Sequence, residues 1–75
     1  MTHENYRLIR NVMNDCYNVF YAKWAKKALK EPLSDKDWLL ISDEIKAIGE
    51  KYKTTICFPL AKKLLLELIE MLDKT

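Results

Sequence analysis

The chain offers few side chains that could support nucleophilic or acid–base catalysis. His3 is the only histidine among the 75 residues, and it lies close to a chain end, where segments fray. A serine or cysteine nucleophile needs a base such as histidine held in a fixed position beside it. The single glycine, Gly49, also excludes a glycine-rich loop for phosphate binding. These features predict that the protein is not an enzyme and that it requires no cofactor.

Metal binding would require several histidine, cysteine or carboxylate ligands that converge on one point. Cys16 and Cys57 lie too far apart in the sequence for a CxxC motif, and we interpret them as buried thiols of a reduced, cytoplasmic protein. Glu67 and Glu70 have the spacing of paired helical carboxylates, but the ExxH motif of di-metal helical bundles is absent. The sequence therefore predicts no metal site.

The densest charge cluster consists of four lysines at helical spacing, namely Lys23, Lys26, Lys27 and Lys30. Ammonium groups on one side of a helix are candidate phosphate contacts, because each neutralised phosphate releases counterions. The 13 basic and 11 acidic residues leave a formal charge of only +2, well below that of a protein that coats nucleic acid. We favour a solvated lysine face and keep a nucleic-acid-binding accessory role as the alternative function.

Aromatic and small side chains form a second cluster along one edge of the first predicted helix. Its members are Tyr17, Tyr21, Trp24, Ala25 and Ala28. Tyrosine and tryptophan are enriched at the centres of protein interfaces, and alanines allow a second helix to approach closely. Packing inside the chain is the alternative for these rings. We predict a protein interface here, with Lys23 and Lys27 at its rim and a homodimer as the favoured assembly.

The elements that carry these residues are all predicted to be helices. Hydrophobic residues recur at steps of three and four, and only one glycine and two prolines interrupt the chain. Three helices are expected, over about residues 4–30, 35–52 and 59–73. The segment Glu31-Pro32 ends the first helix, and Ser34 with Asp37 forms a near capping box for the second. The predicted fold is all-α, a single domain over residues 1–75, built as a three-helix bundle with a long N-terminal helix.

Each predicted helix has an apolar stripe. The stripe of the first helix comprises Tyr6, Ile9, Met13, Cys16, Phe20, Trp24 and Ala28. Its pattern changes side near residue 20, which indicates either a bend or different neighbours for the two halves. The predicted core of the other two helices comprises Trp38, Ile41, Ile45, Ile48, Leu64, Leu65 and Leu68.

The hydrophobic content exceeds what three short helices are expected to bury. Hydrophobic residues make up 49% of the chain, which excludes a disordered segment, and a bound partner would cover the excess. No basic segment followed by an apolar run begins the chain, and no apolar run approaches the length of a membrane span. We therefore predict a cytoplasmic protein-interaction module.

The order of these signals resembles that of small, uncharacterised helical proteins encoded by bacterial phages and mobile elements. An aromatic-rich first helix is followed by Pro32-Leu33-Ser34-Asp35 before Trp38, and later by Pro59-Leu60-Ala61-Lys62-Lys63-Leu64. The resemblance covers about residues 20–72 and consists of core and capping residues, so it transfers no functional residue. It implies a bacterial cytoplasm and a regulatory or inhibitory binding role.

Overall fold

The computed structural model describes residues 1–74 and is all-α, as predicted. Its elements are α1 (His3–Met13), a π-helical segment (Asn14–Tyr21), α2 (Ala22–Lys30), α3 (Asp35–Tyr52) and α4 (Phe58–Lys74). α4 packs against α3 and against α1, α2 and the π-helical segment, while α3 also contacts the π-helical segment. None of the 74 described residues belongs to a β-strand.

Side-chain caps fix the beginning of α1 and of α3. The Thr2 hydroxyl accepts a hydrogen bond from the Asn5 amide at 3.1 Å. The Asp37 amide donates to Ser34 Oγ at 3.1 Å, and Asp37 Oδ2 accepts from the Ser34 amide at 3.0 Å. Aspartate thus completes the capping box where glutamate or glutamine is more usual.

The π-helical segment keeps one face of the first thirty residues directed at the core. Val12, Cys16, Phe20 and Trp24 follow one another at steps of four and are all buried. In an α-helix, which turns about 100° per residue, each such step would overshoot a full turn by about 40°. A π-helical turn contains more residues, because its hydrogen bonds join residues five apart, as from the Ala22 amide to the Tyr17 carbonyl. The wider turns offset the drift, so the four residues share one buried face.

This geometry corrects the predicted stripe of the first helix. The stripe included Tyr6 and Met13, but 59% of Tyr6 and 45% of Met13 are exposed, while Val12 is fully buried. The prediction assumed uniform α-helical turns along the segment. The change of pattern near residue 20 coincides with the passage from π-helical to α-helical turns at Tyr21 and Ala22.

The core joins the buried stripe to α3, α4 and the connection between them. These elements contribute Ile41, Tyr52, Cys57, Ala61, Leu65 and Leu72 as buried residues. The other predicted core residues of α3 and α4 are half-buried and pack against this cluster, namely Trp38, Ile45, Ile48, Leu64 and Leu68.

A carboxylate at the edge of the core links the π-helical segment to the end of α3. Asp15 Oδ2 accepts hydrogen bonds from Lys51 Nζ at 2.7 Å and from the Tyr52 hydroxyl at 2.5 Å. Burial by itself raises the pKa of Asp15, but the hydrogen bonds from Lys51 and Tyr52 outweigh it and hold the pKa below its ordinary value. Burial, together with this carboxylate, raises the pKa of Tyr52. Asp15 is therefore ionised and Tyr52 protonated at neutral pH.

The molecule is elongated, with extents of 42 × 18 × 15 Å and a radius of gyration of 13.0 Å. A compact chain of this length has a radius of gyration of about 11 Å. None of the helices in residues 1–74 is both long enough and apolar enough to cross a lipid bilayer.

The link between Asp15 and Tyr52 predicts the effect of a Tyr52→Phe variant. Its free energy of unfolding at pH 7 should fall by about 2 kcal/mol, since a partly buried hydrogen bond to a charged group is lost. The pKa of Asp15 is lower in the folded state than in the unfolded state. The ionised carboxylate therefore stabilises the fold at pH values above the unfolded-state pKa. This stabilisation is lost as the pH falls through the folded-state pKa. Tyr52→Phe should therefore lose less stability than the unchanged protein as the pH falls from the unfolded pKa of Asp15 through its lower folded pKa.

Urea denaturation at several pH values measures both effects, with Tyr6→Phe as the matched control, because Tyr6 is 59% exposed. Equal stability of Tyr52→Phe and Tyr6→Phe at pH 7 would show that the link does not stabilise the fold.

Candidate functional site

A groove of about 860 Å³ lies between the N-terminal segments and α4. It is called the groove below, and its lining residues are Arg7, Arg10, Asn11, Met13, Asn14, Cys16, Tyr17, Asn18, Leu64 and Leu68. α1 supplies the first four, the π-helical segment supplies the next four, and α4 supplies the two leucines. Its volume lies within the range of about 300–1,000 Å³ that is usual for binding sites.

The groove combines apolar side chains with hydrogen-bond donors and contains no carboxylate. Met13, Cys16, Leu64 and Leu68 provide apolar surface, and two guanidinium and three amide groups provide the donors. The Asn18 amide donates to Asn14 Oδ1 at 3.1 Å, which orders this part of the rim. No ion pair within residues 1–74 involves Arg7 or Arg10. The two guanidinium groups therefore give the groove positive charge that no carboxylate of residues 1–74 pairs with directly.

The structure places the residues of the predicted aromatic interface in different surroundings. Tyr17 lines the groove, is 57% exposed, and stacks on Tyr21 with ring centroids 5.8 Å apart. Tyr21 and Ala25 are half-buried and pack against the core. Ala28 is also half-buried, but it lines a different cleft of about 410 Å³ near Pro32 and Leu72. Tyr17 is thus the most exposed member of the predicted set.

Trp24 does not lie on the surface, in contrast to its predicted place in an interface. It is only 5% exposed and belongs to the core cluster. The ammonium groups of Lys23 and Lys27 lie 5.1 Å and 5.9 Å from its ring centroid, within the range of cation–π contacts. Its indole Nε1 is buried without a hydrogen-bond partner. The step of four from Phe20 places Trp24 on the buried stripe and away from Tyr17.

The predicted lysine cluster is likewise split into two pairs. Lys23 Nζ donates to Glu44 Oε1, and Lys27 Nζ donates to Asp37 Oδ1, each at 2.7 Å. The hydrogen bond with Asp37 raises the pKa of Lys27, and the same bond, with that from the Ser34 amide, lowers the pKa of Asp37. Two of the four candidate phosphate contacts are therefore neutralised by α3, while Lys26 and Lys30 are exposed.

Of the side chains considered for catalysis or metal binding, the two cysteines lie in one core cluster near Tyr52, whereas the histidine does not belong to it. His3 is exposed in the first turn of α1. Cys16 and Cys57 are both buried free thiols, and burial, with the nearby Asp15 carboxylate, raises the pKa of Cys16 to about 11. The Cys16 thiol is therefore protonated at neutral pH and is a poor nucleophile. In the part of the chain that the structure describes, no three His, Cys, Asp or Glu side chains are placed to hold a metal ion.

Comparisons with protein-family models, with curated proteins and with solved structures give no match for this chain.

The role of the arginines was missed from the sequence, although their position was visible. One polar side of the first helix was recognisable from the sequence, and it comprises Arg7, Arg10, Asn11, Asn14, Asp15 and Asn18. The overlooked signal is that this side carries guanidinium and amide groups, while the Asp15 carboxylate contacts Lys51 and Tyr52 of α3.

The burial of Trp24 predicts that truncation at this position destabilises the fold. Trp24→Ala should lower the free energy of unfolding by about 3–5 kcal/mol, because a large core side chain is lost and a cavity remains. Tyr17→Ala should cost less than about 1 kcal/mol, because most of that side chain is exposed. Urea denaturation at low micromolar concentration separates the two variants. Equal losses in both would contradict the different placement of the two rings.

Proposed function

We propose that this protein is a small helical interaction module that assembles as a homodimer through the groove and the neighbouring Tyr17–Tyr21 pair. In this proposal α1, the π-helical segment and α2 act as one long N-terminal helix of a three-helix bundle. The observation that carries the proposal is the groove itself, where apolar side chains lie beside two guanidinium groups that form no ion pair within residues 1–74.

The exposed area supports association with a partner. A compact monomer of 8.9 kDa is expected to expose about 4,800 Å², whereas this chain exposes 5699 Å². The excess of about 900 Å² is close to the area of about 800 Å² that each partner contributes to a standard protein interface. A second copy laid along the 42 Å length of the molecule would bury an area of this order.

Exposed apolar side chains lie at the groove and beside it. Tyr17 and Met13 are 57% and 45% exposed, and the half-buried Leu64 and Leu68 line the same groove from α4. Amphipathic helices commonly dock in such grooves through their apolar face. This interface keeps Tyr17 and Tyr21 of the one predicted from the sequence and leaves out Trp24, Ala25 and Ala28. It adds the side of α4 that lines the groove.

Nucleic-acid binding through the lysine face has weaker support. Its phosphate contacts would have to compete with Glu44 and Asp37, which already bind Lys23 and Lys27. A regulatory or inhibitory role in a bacterial cytoplasm agrees with two buried free thiols and remains part of the proposal. Since no catalytic arrangement supports turnover, binding alone is the proposed activity.

The homodimer predicts that the sedimentation behaviour depends on Tyr17. The unchanged protein should sediment as a dimer at about 100 µM, which a micromolar dissociation constant would give. Tyr17→Glu should sediment as a monomer with unchanged helical circular dichroism, because a carboxylate replaces an apolar ring at the contact. Leu39→Glu, at an α3 position that is 68% exposed, is the matched control and should remain dimeric. A monomeric unchanged protein at this concentration would overturn the proposal.

A further inference from the structure

The groove carries two guanidinium groups that form no ion pair with the described part of the chain. Arg7 and Arg10 line it, none of its lining residues is acidic, and neither arginine takes part in an ion pair within residues 1–74. The nearby Asp15 is already bound to Lys51 and Tyr52. A ligand that fits this surface therefore offers carboxylates beside an apolar side chain.

The outer side of α4 has that composition. Lys63, Leu66, Glu67 and Glu70 recur at steps of three, one and three, so they share one side of the helix, and all four are exposed. They are called the α4 stripe below. Leu66 is 56% exposed, and neither Glu67 nor Glu70 forms an ion pair within the described residues. The stripe thus presents a leucine next to two unpaired carboxylates.

The order of charges along α4 favours antiparallel pairing of two copies. Lys62 and Lys63 lie in the first half of α4, and Glu67 and Glu70 lie farther along. When two such helices lie antiparallel, the basic part of each faces the acidic part of the other, whereas parallel pairing would juxtapose like charges. The formal charge of +2 per chain opposes this association only weakly.

A two-fold axis makes the contact reciprocal. In a symmetric dimer the same surface contacts itself, so the groove of each copy can receive the stripe of the other. On α4, Leu66 and Glu67 of the stripe stand between Leu64 and Leu68 of the groove in the sequence. An axis near the middle of α4 therefore brings both grooves and both stripes together.

We propose that the groove binds the α4 stripe of a second copy in antiparallel orientation, with Glu67 and Glu70 of one copy facing Arg7 and Arg10 of the other. This inference rests on the homodimer of the proposed function and names the charges that orient it. Leu66 enters the apolar part of the groove beside Tyr17, and the carboxylates replace solvent at the guanidinium groups. Bidentate pairing with carboxylates is the contact that arginine forms best.

Charge reversal on each side tests the pairing. Arg7→Glu combined with Arg10→Glu, and separately Glu67→Lys combined with Glu70→Lys, should each weaken the homodimer at least about a hundredfold, because like charges then face each other. An equimolar mixture of the two double variants should form a 1:1 heterodimer, since both groove-to-stripe contacts in it join opposite charges. Sedimentation velocity measures all three samples, and circular dichroism checks that the helices persist.

Lys26→Glu combined with Lys30→Glu is the matched control, because it changes the net charge by the same amount as the arginine reversal but on α2. It should leave the dimer unchanged. If a reversed variant loses its helical signal, Arg7→Gln combined with Arg10→Gln takes its place, with an expected weakening of about tenfold.

The outcomes separate the two proposals. Loss of dimer in both reversed variants and its return in the mixture would support the antiparallel pairing. A dimer that tolerates either reversal, or a mixture that stays monomeric, would overturn the pairing and leave the homodimer itself standing. A monomeric unchanged protein would overturn both.

Discussion

The buried stripe of the first thirty residues is the constraint on which the other features depend. Val12, Cys16, Phe20 and Trp24 stand four residues apart and are all buried, whereas uniform α-helical turns would rotate each of them by about 40° from the one before. The π-helical segment satisfies this spacing. The segment also determines the direction in which its other residues face, so that Asp15 contacts α3 while Tyr17 lines the groove beside α4.

The same constraint sorts the charges of the N-terminal segments into two groups. Asp15, Lys23 and Lys27 each contact an oppositely charged side chain of α3 at 2.7 Å. Each surface ion pair of this kind contributes little to the free energy of unfolding. Together, however, the pairs engage charged groups that would otherwise be available to a ligand. Arg7 and Arg10 lie outside these contacts and line an apolar groove. Among the described residues, Arg7 and Arg10 and, of the lysine cluster, Lys26 and Lys30 therefore stay outside ion pairs.

Local signals in the sequence were sufficient for the all-α class and for the capping box at Ser34 and Asp37, because both depend on neighbouring residues. The π-helical segment could not be predicted, since its residues are equally compatible with α-helical turns and only the burial of the stripe distinguishes the two. Because α-helical turns were assumed, Trp24 was predicted to lie in the same interface as Tyr17. The pairing of Lys23 with Glu44 joins residues 21 positions apart, and no local pattern indicates it. The groove forms only where α4 packs beside α1 and the π-helical segment, so it too depends on tertiary packing.

A residue-resolved dilution series tests the central claim, namely that the groove beside α4 is covered by a second copy of the chain. Amide resonances would be followed by heteronuclear NMR from millimolar to low micromolar concentration. The account predicts that the amides of Arg10, Tyr17 and Glu67 shift together on dilution, while those of Ser42 and Lys46, on the exposed side of α3, stay in place. Spectra that do not change with concentration, or shifts confined to α2 and α3, would contradict it.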